Sequence, residues 1–89
     1  MTAAVDATAR GLREILATLT GRGELLALPA GTPLFGEAVA LDSLTGTLLL
    51  REIQQRFGVD VASEDLNLDA LATLGTLAEF VAARRAPAG

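Results

Sequence analysis

The chain has 89 residues, about half of them apolar, a formal net charge of −4, and neither cysteine nor histidine. That length sets one small domain with a modest core. The missing cysteine excludes disulfide staples and thiolate zinc sites, and the missing histidine removes the commonest general base and metal ligand. All seven basic residues are arginine, so Schiff-base and Ser–Lys chemistries have no lysine to use.

Leu and Ala dominate, β-branched residues are few, and no stretch alternates, so the composition points to helices. A first helix is predicted over about residues 2–19, where Val5, Ala9, Leu12, Leu16 and Leu19 recur at steps of four and three on one face. Thr20-Gly21-Arg22-Gly23 ends it. A long segment rich in Gly and Pro follows, up to Leu41. A loop of that length is either functional or holds a helical turn, for which Glu24 to Leu28 is the candidate. Leu25, Leu28, Leu34, Phe35, Val39 and Leu41 are expected to pin the loop against the helices.

The second helix is expected over 43–57, stopping at Gly58, a good residue just past a helix end. Its core face is Gly46, Leu49, Leu50, Ile53 and Phe57, while Leu44 and Leu48 lie on the opposite side with Arg51, Glu52 and Gln55. Val59-Asp60-Val61 reads as extended. A short third helix is expected over 63–69, with Glu64 and Asp65 suited to its first turn. The last helix, 74–85, takes Thr73 as its cap and buries Leu74, Leu77, Phe80 and Val81, and 86–89 form a tail. No repeat or interdomain linker is visible, so 1–89 reads as a single domain.

Residues 37–69 hold seven acids and two arginines, a net −5, which disfavours nucleic acid and suits either a basic protein partner or a solvated surface. No segment reaches the roughly 20 apolar residues of a membrane span. Asp6, Arg10, Arg13 and Glu14 stand where a signal peptide would be apolar, which makes a cytoplasmic location the expectation.

The stretch Leu41-Asp42-Ser43-Leu44 sits where the irregular segment meets the most apolar helix. First-turn N–H groups lack intrahelical partners and the helix dipole is positive there, so a phosphate ester on the Ser43 hydroxyl would lie in a favourable field. The alternative is that Asp42 and Ser43 merely cap the helix. Leu44 and Leu48, one turn apart beside that serine, form a candidate docking patch, against the alternative that single surface leucines are ordinary. A hydrolase built on Asp42 and Ser43 lacks an evident base.

Four features in order resemble the acyl carrier and peptidyl carrier protein family over about Phe35 to Arg85. These are Leu41-Asp42-Ser43-Leu44; Phe57-Gly58-Val59-Asp60-Val61, fifteen residues further on; Glu64-Asp65-Leu66; and Thr73-Leu74-Gly75-Thr76-Leu77 with Phe80-Val81. The resemblance implies an all-α four-helix bundle of the acyl carrier type, with a long loop between helices one and two and a short third helix. It implies a 4′-phosphopantetheine arm moved from coenzyme A onto Ser43 by a phosphopantetheinyl transferase. The arm's thiol would carry an acyl or aminoacyl group as a thioester, supplied by an acyltransferase or adenylating enzyme and passed to downstream synthase enzymes. The protein would then be a monomeric, non-catalytic carrier, with Asp42, Leu44, Leu48, Glu64 and Asp65 facing partners.

Fatty-acid carriers usually show acids soon after the serine, where this chain has Thr45, Gly46, Thr47 and Leu48. Leu49-Leu50-Arg51-Glu52-Ile53 looks closer to peptidyl carriers, and Ala40-Leu41-Asp42 is more acyl-carrier-like. A free-standing carrier serving polyketide or nonribosomal peptide enzymes fits this mixture. The competing reading is an unmodified helical interaction module that binds through Leu44 and Leu48.

Overall fold

The computed structural model describes residues 3–37, 39–61 and 71–84. The three-and-four spacing of the N-terminal segment produces α1 (Ala3–Thr20), which buries Ala9, Leu12, Ile15 and Leu16, with Val5 and Leu19 partly covered at its ends. Thr8 is fully buried on the same face, and its hydroxyl donates to Ala4 O at 2.7 Å. Gly21, in the left-handed region at φ 69°, lets the chain turn back, so that Arg22 N–H donates to Ala17 O at 3.1 Å.

The turn expected from Glu24 to Leu28 forms as a 3-10 helix, Gly23–Ala27, and buries Leu25. From α1, the Arg13 Nε–H donates to Leu28 O at 2.6 Å and anchors the loop's entry. Leu28, Leu34, Val39 and Leu41 are buried as expected, but Phe35 is 56% exposed and pins nothing. Leu34 and Phe35 are adjacent residues of one turn, and with Leu34 fully buried Phe35 is left on the solvent side.

The second helix, α2 (Ser43–Phe57), has the predicted bounds. Gly58 follows it at φ 70°, its N–H donating to Gln54 O at 3.0 Å. Its core face is narrower than predicted. Leu49 and Ile53 are fully buried, whereas Gly46 and Leu50, which border an open hollow, and Phe57, which lies against Gly11 of α1 at the edge of another, are half-buried. Val59 and Val61 are buried around exposed Asp60. The last predicted helix is α3 (Leu74–Arg84), burying Leu74, Leu77, Ala78 and Val81, with Phe80 half-buried. The helix expected over 63–69, Arg85 and the 86–89 tail lie outside the described residues.

The described residues are thus all-helical apart from loops, with three α-helices and no strand; an isolated antiparallel bridge joins Pro33 and Thr73. The core gathers on α1, which packs against α2, α3 and the 3-10 helix. The α1–α2 approach is close at Gly11, where a Cβ would come within 2.6 Å of Phe57 Cζ. An exposed Arg56–Glu14 ion pair spans the same two helices. Among the described residues no helix is long and apolar enough to cross a membrane.

Leu49 is fully enclosed, so Leu49→Ala should cost about 2–5 kcal/mol of stability through the cavity it leaves, read from chemical denaturation.

Candidate functional site

The N-terminus of α2 is positioned by the loop that precedes it. Leu34 N–H donates to Ala72 O at 3.1 Å, and Leu34 O accepts from Leu41 N–H at 3.2 Å. A single buried residue therefore ties the lead-in of α2 to the lead-in of α3. Across the same seam Leu74 N–H donates to Thr32 O and Gly75 N–H to Ala30 O, at 3.2 and 2.7 Å. Two first-turn donors of α3 are satisfied in this way by loop carbonyls. A side chain at Gly75 would meet Ala30 O at 3.0 Å, so glycine permits the approach. Thr73 caps α3 as expected: its hydroxyl accepts from Thr76 N–H at 3.1 Å, and Thr73 N–H donates to the Thr76 hydroxyl at 3.0 Å.

Between Leu34 and Leu41 the chain reverses through Ala40, a non-glycine residue in the left-handed region at φ 55°. That conformation costs roughly 1–2 kcal/mol for an L-residue. It is held by Ala40 N–H donating to Gly36 O at 2.7 Å, by the Arg22 guanidinium donating to Val39 O at 3.4 Å, and by the burial of Val39 and Leu41 on either side. Asp42 follows in extended conformation and caps α2, its Oδ1 accepting from Thr45 N–H at 2.7 Å. This backbone hydrogen bond, helped by the Thr45 hydroxyl, holds the Asp42 carboxyl below the ordinary aspartate range.

Ser43 is the first residue of α2 and is exposed. Its carbonyl accepts from the Thr47 hydroxyl at 2.9 Å, while its own hydroxyl makes no hydrogen bond among the described residues. With Asp42 acting as the cap, the serine hydroxyl is not needed to close the helix end. Beside it opens a hollow of about 510 Å³ lined by Phe35, Leu41, Gly46, Leu50 and Leu71. At Gly46, which lines it, a Cβ would meet only Leu41 Cγ, at 4.0 Å. Phe35, expected in the core from its apolar character, is instead a wall of this hollow; its place next to the buried Leu34 is the signal in the sequence that it turns outward. A second hollow of about 430 Å³, at the far end of α2 between Asp6, Arg10, Glu14, Arg56 and Phe57, contains neither a serine nor a threonine.

The other residues singled out in the sequence divide into two groups. Leu44 is 71% exposed and Leu48 36%, both on the side of α2 away from α1. Glu64 and Asp65 lie outside the described residues. No group of His, Cys, Asp and Glu among the described residues could hold a metal ion. Among the described residues the arrangement presents an unencumbered hydroxyl at a helix N-terminus with open space around it. That suits a covalently attached phosphate ester and the chain that follows it.

A family model described as Phosphopantetheine attachment site matches residues 10–81. No curated protein and no solved structure matches the chain.

The Asp42 carboxylate is bound as an anion in the folded state, so its contribution to stability is complete above the unfolded aspartate pKa. It should be lost as the pH falls through the lowered folded value. Asp42→Ala should lower the thermal midpoint at neutral pH and flatten the acid limb of a melting-temperature profile, and Asp42→Asn should do less because asparagine also caps.

Proposed function

The chain belongs to the phosphopantetheine-attachment family, whose members carry covalently bound 4′-phosphopantetheine, and from that premise we propose that Ser43 is the residue that receives the arm. The observation that carries this is the exposed Ser43 hydroxyl at the start of α2, relieved of capping by Asp42 and open to the hollow beside it. Domains of this family serve as carriers, are generally non-catalytic, and work with phosphopantetheinyl transferases and biosynthetic enzymes.

When attached, the arm supplies a thiol that holds the cargo as a thioester. The chain's own residues do the rest. The positive end of α2 faces the phosphate, and the Leu34 seam fixes the direction in which Ser43 points. With no histidine or lysine in the chain, the base that takes the Ser43 proton comes from the transferase. Leu44 and Leu48, exposed one turn apart next to Ser43, form the surface on which partner enzymes dock, with Asp42 at its edge; Glu64 and Asp65 are partner contacts by resemblance to the family. A tethered cargo then reacts at the effective concentration set by the arm rather than at its bulk concentration.

The finer reading is a free-standing monomeric carrier in the cytoplasm, a four-helix bundle with its short third helix over 63–69, delivering acyl or aminoacyl intermediates to polyketide or nonribosomal peptide enzymes. It rests on the peptidyl-like α2 and the acyl-like approach to Ser43.

Incubation with a phosphopantetheinyl transferase and coenzyme A should add one arm to the chain by intact-protein mass spectrometry, and Ser43→Ala should abolish the addition while leaving the fold unchanged. Arm-independent partner binding, unaffected by that substitution, would instead favour an unmodified interaction module. Leu48→Glu should reduce kcat/KM for arm transfer roughly five- to tenfold with no loss of thermal stability, because the position is exposed in the isolated protein.

A further inference from the structure

Resting on the reading of Ser43 above, the first turn of α2 says how the arm is held once it is attached. A bare helix N-terminus draws an anion to it because its leading N–H groups lack partners. At α2 those groups are already engaged. Gly46 N–H closes the first helical hydrogen bond to Asp42 O at 2.7 Å, and Thr45 N–H donates to Asp42 Oδ1 at 2.7 Å. The Thr45 hydroxyl and, more weakly, Leu44 N–H also favour the charged form of that carboxylate. The hydroxyl one turn on, that of Thr47, is committed to Ser43 O at 2.9 Å.

The anion that this helix start holds is therefore one of the chain's own. The dipole still favours negative charge here, but the direct N–H bonds are spent. Asp42 stands at the cap position, from which a side-chain oxygen reaches the third helical N–H, and it is exposed. Among the described residues no arginine forms an ion pair with it. A phosphodiester on Ser43 would hang from the very next residue, whose Cα is about 3.8 Å from that of Asp42. Two anions so placed lie within about one screening length, roughly 8 Å at physiological salt, and repel one another.

We propose that Asp42 is a positioning residue for the arm: its carboxylate keeps the first-turn N–H groups of α2 in the loaded protein and repels the phosphodiester, so that the arm leaves Ser43 away from the helix start instead of lying along it. The arm then moves freely from its tether, and the cap that orients Ser43 is the same in the empty and loaded protein.

The test compares the unaltered chain with Asp42→Asn, before and after a phosphopantetheinyl transferase and coenzyme A add the arm. Asparagine keeps an oxygen for Thr45 N–H and removes the charge. In the unaltered chain, hydrogen exchange at the Thr45 amide should be the same with and without the arm, and NMR relaxation of an isotope-labelled arm should report fast motion. In Asp42→Asn the labelled arm should slow, a change that a purely structural cap would not produce. At low ionic strength attachment should lower the thermal midpoint of the unaltered chain more than that of Asp42→Asn, and the difference should shrink at high ionic strength. Equal arm mobility in the two loaded chains would overturn the proposal. If Asp42→Asn is not loaded, the unaltered chain decides: altered Thr45 exchange on attachment, or a raised thermal midpoint, would show the phosphodiester taking the N–H groups and would overturn it. Each of these outcomes leaves attachment at Ser43 standing, whereas failure of the unaltered chain to accept an arm would overturn that reading and this proposal together.

Discussion

The two hydrogen bonds of the Leu34 backbone hold this structure in its working form. One runs to Ala72, at the approach to α3, and the other comes from Leu41, at the approach to α2. Both are formed around a side chain that is fully buried, where water cannot compete for the same groups. Two helices, α2 and α3, are thereby registered against each other at their N-termini. The strained Ala40 turn is tolerated because its neighbours on both sides are fixed in the core.

The N-termini of the helices are treated in two different ways, and the difference matters chemically. At α3 the orphan donors of Leu74 and Gly75 are consumed by loop carbonyls, and Thr73 and Thr76 close the remainder reciprocally. That end is sealed and serves as a joint. At α2 a single carboxylate does the capping, leaving the next residue's hydroxyl exposed in the positive field of the helix. A phosphopantetheine carrier needs one such unsealed end, because an attached arm must leave the protein without disturbing the hydrogen bonds that position it.

A protein of this kind contributes geometry to chemistry carried out by others. The cargo's reactivity resides in the arm, and the exposed face of α2 lies beside the proposed attachment residue. That face has few charges, and the ones α2 does carry are mostly occupied elsewhere: Arg56 is held against α1 and Glu52 is turned into the α1–α2 groove. Leu44, Leu48 and Arg51 are its exposed residues.

The helices were legible in the sequence because their periodicities are strong and their stops are chemical. Val5 to Leu19 repeats at helical spacing, Gly58 terminates α2 where only a residue tolerant of positive φ fits well, and Thr73 caps α3. The exposure of Leu44 and Leu48 followed from the same arithmetic. The loop was less legible. An apolar residue in an irregular segment carries no periodicity to give its direction, so Phe35 read as a core anchor although it stands in solvent beside the hollow. Local pattern by itself determined the elements, the serine at a helix start and the outward leucines, since these depend on residues within a turn or two of one another. The seam through Leu34, the left-handed Ala40 and the hollow beside Ser43 were decided only by tertiary structure. Each depends on which distant backbone or side chain arrives alongside, and chain spacing does not encode that.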